Sequence, residues 1–103
     1  MKIARQGDTL YIYHPELQSI AGNVIPRVAG RIIVAAGEVT GHHHAISTAD
    51  VTFIERDSIR WLVAPQEFVV AHEEHKPLVL ESGVWEIVYQ YEYEPQELRR
   101  ITD

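Results

Sequence analysis

From residue 84 to residue 93 the chain alternates without a break. Trp85, Ile87, Tyr89, Tyr91 and Tyr93 fall on one face, and Val84, Glu86, Val88, Gln90 and Glu92 on the other. A period of two marks a strand, because successive side chains of a pleated backbone point to opposite sides. Residues 9–13 and 51–56 alternate in the same way, 31–36 and 67–71 are short apolar runs consistent with buried strands, and 59–63 and 78–80 complete the strand segments. Asp57-Ser58 reads as a turn joining two of them into a hairpin. Glu81-Ser82-Gly83 reads as a second turn, with a glycine available for positive φ. Helix signals are limited to single turns at residues 15–20 and 95–100, where a proline opens a few helix-compatible residues. The expectation is an all-β chain: a small antiparallel barrel or sandwich over residues 1–103 as one domain, with at most short helical turns.

Composition removes whole classes of chemistry. The chain has no cysteine, which rules out disulfides, thiolate metal sites and cysteine nucleophiles. Nine Lys and Arg against fifteen Asp and Glu give a formal net charge of -6, a poor match to a nucleic-acid backbone. No apolar run approaches the ~20 residues of a membrane span, and the first residues lack the apolar stretch of a signal peptide. A cytoplasmic protein that contacts neither membrane nor nucleic acid is expected.

Histidine is where the chemistry concentrates. Five of six histidines sit in two clusters, Gly41-His42-His43-His44 and His72-Glu73-Glu74-His75. Neutral imidazole is the commonest metal ligand near physiological pH. On a strand, His42 and His44 share a face and His43 points away, so His-x-His is a natural bidentate unit. His72 and His75 converge if their loop makes one turn. The spacing differs from that of a helical His-Glu-x-x-His zinc motif, which excludes that protease reading. The expected ligands are His42, His44, His72 and His75, around one divalent ion: Zn, Fe, Mn or Ni. Glu38 and Glu74 are the acid–base candidates if the site is catalytic. Solvated loop histidines paired with Glu73 and Glu74 are the plain competing reading, and His14 stands apart as an ordinary surface or packing residue. The Trp85, Tyr89, Tyr91 and Tyr93 face is expected to be core or a contact between subunits of a homo-oligomer. No substrate can be named.

Two resemblances follow from these residues. Gly37, His42 and His44 resemble the start of the first motif of the cupins, metal-binding β-barrels, with one residue fewer between glycine and histidine. Ala45, Ile46, Ser47 and Thr48 stand where that motif carries a glutamate, and Gly83 lacks the proline expected before it. The wider pattern is similar to small uncharacterised bacterial and phage proteins. It comprises Gly41-His42-x-His44, His72-x-Glu74-His75 and Gln90-Tyr91-Glu92-Tyr93. That likeness implies one constellation of His42, His44, His72 and His75 without implying an activity. The leading expectation is a metal-binding protein, and the competing one is a non-catalytic, phage-related assembly module whose histidines are structural or pH-responsive.

Overall fold

The computed structural model describes residues 1–36, 43–94 and 97–100, and among them no helix forms. In chain order the strands are β1 Ile3–Gln6, β2 Thr9–Tyr13, β3 Asn23–Val24, β4 Ile32–Ala36, β5 His43–Ile46 and β6 Thr52–Arg56. They continue as β7 Ile59–Ala64, β8 Phe68–Val70, β9 Leu78–Leu80, β10 Gly83–Tyr89, β11 Tyr91–Glu94 and β12 Glu97–Arg100. Every pairing is antiparallel. The expected all-β class is therefore what the chain adopts.

The largest sheet has six strands in the order β1-β2-β10-β7-β6-β3. It is open, with β1 and β3 at its edges, so it does not close into a barrel among the described residues. The alternating segment from residue 84 sits at its centre as β10, paired with β2 on one side and β7 on the other. Trp85 and Ile87 are buried on its apolar face, at 1% and 4% exposure. The pattern continues past Tyr89, but the strand does not. The amide of Gln90 donates to the carbonyl of Asp8, and β11 then pairs with β12. Glu97–Arg100 is thus a strand, not the helical turn read from the sequence: cross-strand pairing overrides a weak local preference.

Two tight turns build the sheet. Asp57 and Ser58 both take positive φ, 52° and 66°, between the paired residues Arg56 and Ile59. Two left-handed residues match the right-handed twist of the strands they join. Gly7, at φ 58°, starts the equivalent turn between Gln6 and Thr9, and so places Asp8 in the loop between β1 and β2.

The β4–β5 and β8–β9 hairpins form a second layer. Ile32, Val34, Ile46, Phe68, Val70 and Leu80 from these hairpins share one buried cluster with Tyr11, Phe53, Leu62, Trp85 and Ile87 of the large sheet. This is sandwich packing, in which the inner faces of two sheets make the core. Each fully buried large apolar side chain contributes roughly 1.5–3 kcal/mol relative to exposure. The tyrosine stripe belongs partly to this core, since the Tyr89 hydroxyl donates to the Val34 carbonyl at 2.7 Å. That carbonyl lies where the β4–β5 register shifts between Ile33 and Ala35.

Candidate functional site

The two hairpins of the second layer meet through a backbone exchange. Ala45 and Ala71 donate to each other's carbonyls at 2.9 and 2.8 Å. In an antiparallel pair the residues flanking such an exchange stand directly opposite, with side chains on one face. His44 and His72 are those residues. Their rings lie 4.4 Å apart, centroid to centroid. One further turn of chain returns His75, whose ring is 4.5 Å from His72 and 6.3 Å from His44.

Three of the four expected ligands are therefore together. His44 and His72 are buried, at 1% and 9% exposure, and His75 is half-buried. His43 points the other way, as alternation requires; its amide donates to Glu73 Oε2 at 2.9 Å. The fourth expected ligand, His42, and the acid–base candidate Glu38 lie outside the described residues. Glu74, the other acid–base candidate, is exposed on the turn, and its amide donates to His72 Nδ1 at 3.0 Å.

Two further residues join the cluster from the β1–β2 hairpin. Gln6 and Asp8 are each only 3% exposed. The Gln6 amide group donates to the carbonyls of Val70 and Lys76, at 3.0 Å in both cases. Those two bonds fix which end of the side chain is oxygen, and Oε1 faces His44 Nδ1 at 2.8 Å. Nδ1 of His44 therefore carries a hydrogen, by assignment from the network. The other ring nitrogen, Nε2, stands 3.5 Å from Asp8 Oδ1. Asp8 Oδ1 also accepts from the Thr9 hydroxyl at 3.2 Å.

Sequence reading did not single out Gln6 and Asp8. The one available signal was Gly7, a turn glycine that joins two strands and puts its neighbours at a strand end. Nothing local to residues 1–8 announces that they reach the histidines.

A neutral imidazole with hydrogen on Nδ1 offers a lone pair at Nε2, and a carboxylate oxygen is also an acceptor. The fold thus brings two acceptors, one nitrogen and one carboxylate oxygen, to 3.5 Å of each other. His75 brings a further nitrogen, because its Nε2 is buried and meets no hydrogen-bond partner among the described residues.

Among the described residues no group of three or more His, Asp or Glu side chains is placed to hold a metal ion. At His72, Nδ1 accepts from the amides of Glu74 and His75 at 3.0 and 3.2 Å. Beside the cluster lies a depression of about 240 Å³, lined by Arg31, His43, Ala45, Ala71, His72 and Glu73.

His14 forms a separate arrangement at the end of β2. Its Nδ1 lies 2.9 Å from Glu16 and its Nε2 2.8 Å from Glu86. Hydrogen bonding to Glu16, reinforced by Glu86, raises its pKa above the usual histidine value against the opposing effect of burial. Its ring also meets Trp61 edge-on at 5.0 Å.

Among the described residues no helix is long and apolar enough to cross a membrane. No curated protein and no solved structure matches the chain. One family's sequence model matches residues 5–90, a span that holds Gln6, Asp8, His44, His72 and His75, and the chain belongs to that family, the Domain of unknown function (DUF8820).

Proposed function

We propose that this protein binds one divalent metal ion at the histidine cluster, with His44 Nε2 and Asp8 as the core of the site. The observation that carries the reading is the His44–Asp8 pair: an oriented ring lone pair and a buried carboxylate oxygen facing each other at 3.5 Å. Gln6 supports it. A ligating histidine ordinarily donates its other ring hydrogen to a fixed acceptor, which sets the tautomer and the ring plane. His75 supplies a third group through its buried Nε2. His72 and His42 complete the proposed ligand set. Nitrogen and carboxylate donors without sulfur suit zinc, iron, manganese or nickel. Any catalytic use of the ion would draw on the depression beside His72 and on Glu74 or Glu38 as the acid–base group.

The test is metal analysis of untagged protein with zinc titration. About one equivalent should bind, and Asp8→Asn and His44→Ala should each lose it. Wild-type protein that takes up no divalent ion would sink the proposal. That result would favour the second reading, in which the cluster is a structural or pH-responsive part of a non-catalytic assembly module. The two amide bonds at His72 Nδ1 are the observation that favours this reading.

A further inference from the structure

We infer that the turn from His72 to His75 is a two-state latch on the cation site; this rests on the metal-binding reading above. Nδ1 of His72 accepts the amide hydrogens of Glu74 and His75 at 3.0 and 3.2 Å. A neutral imidazole has one lone pair. A ring that accepts at Nδ1 therefore carries its hydrogen on Nε2, and has no lone pair there for a metal ion. Yet the His72 ring lies between the other two, 4.4 Å from His44 and 4.5 Å from His75. It closes the turn or it ligates, and it cannot do both.

The switch between the two states balances without net proton release. To ligate through Nε2, His72 loses the hydrogen there and gains one at Nδ1. The new Nδ1–H then faces two N–H donors, so the amides of Glu74 and His75 must turn away. Glu73 lies inside the same turn, and its carboxylate holds the amide of His43 at the start of β5. His43, His72 and Glu73 also line the depression beside the cluster. Metal loading would thus reshape that depression through the turn.

Zinc chloride titrated into the isotope-labelled full chain, followed by NMR, tests this. The imidazole nitrogens of His44 and His72 should shift. The amide protons of Glu74 and His75 should move upfield and exchange faster with solvent, as they lose their acceptor. If the His44 ring responds while both amides stay unchanged, the latch is wrong and the metal site stands. If no histidine ring responds, the metal site and the latch fail together. His72→Asn separates the two roles, because an asparagine oxygen can accept the same amides but ligates metal poorly. In that variant zinc should bind more weakly, and at the higher zinc concentration where the His44 ring responds the two amides should stay in place. Amides that still move as in the wild type would overturn the latch.

Discussion

His44 and His72, twenty-eight positions apart in sequence, are cross-strand neighbours with rings 4.4 Å apart, brought there by the paired backbone bonds of Ala45 and Ala71. The exchange puts both imidazoles on one face at the end of β8, where Gln6 and Asp8 arrive from the large sheet. The site is therefore a joint between the two layers, and its integrity depends on groups that hold the layers together.

Gln6 is the first such group. Replacing it in Gln6→Leu removes the donor to two carbonyls and the acceptor that orients His44. Leaving buried polar groups unpaired costs about 1–3 kcal/mol, so the urea midpoint should fall. Loss of the group that orients a ligating histidine should weaken zinc binding about 10–100-fold. A variant that unfolds at lower urea yet binds zinc as tightly as wild type would make Gln6 purely structural.

His14 gives the chain a pH dependence independent of the cluster. Glu16 chiefly, then Glu86, stabilise its charged form, so its folded pKa lies above the unfolded value of about 6.5. A raised pKa contributes stability that is fully present below the unfolded value and disappears as pH rises through the folded one. Wild type should therefore exceed His14→Asn in stability by most below the unfolded value, and by progressively less as pH rises through the folded one. Glu16→Gln should lower the His14 titration midpoint, read directly by NMR. An unchanged midpoint would mean that Glu16 does not act on the ring.

The strands were legible because period two is a local property, and β10 was the plainest case. Which face goes inward was less so. In β2 the apolar-looking pair Leu10 and Ile12 is only half-buried, whereas Thr9 and Tyr11 are fully enclosed. The two layers decide that, and hydropathy along one strand does not record it. The histidine constellation was legible in composition, and strand alternation correctly separated His44 from His43. The contribution of Gln6 and Asp8 was not, because polar residues beside a turn look solvated until the fold closes over them.

The hairpin turn at Asp57-Ser58 carries strain that one substitution should relieve. Both residues are left-handed, a conformation that costs an L-residue with a side chain roughly 1–2 kcal/mol and costs glycine far less. Ser58 is exposed, so Ser58→Gly changes little else. After the greater unfolded-state entropy of glycine is subtracted, a gain of up to about 1 kcal/mol is expected. Chemical denaturation would show it as a higher midpoint at constant slope. A lower midpoint would mean that the serine hydroxyl stabilises the turn by more than the backbone strain.

Gly83 should be the least replaceable position in the large sheet. It opens β10 opposite Ala64 with φ 139°, in a region that side chains rarely enter. A Cβ there would lie 2.5 Å from Tyr13 Cε1. The Tyr13 ring cannot swing freely, because it packs at 5.0 Å against the buried Trp85. Gly83→Ala therefore adds overpacking of about 1–3 kcal/mol to the backbone strain. The expected readout is a drop in urea midpoint together with a change in Trp85 fluorescence as the Tyr13 contact is displaced. Tyr13→Ala in the same background should recover the overpacking share and leave the strain. Full recovery in the double variant would show that the glycine is required for space alone and that its φ costs nothing.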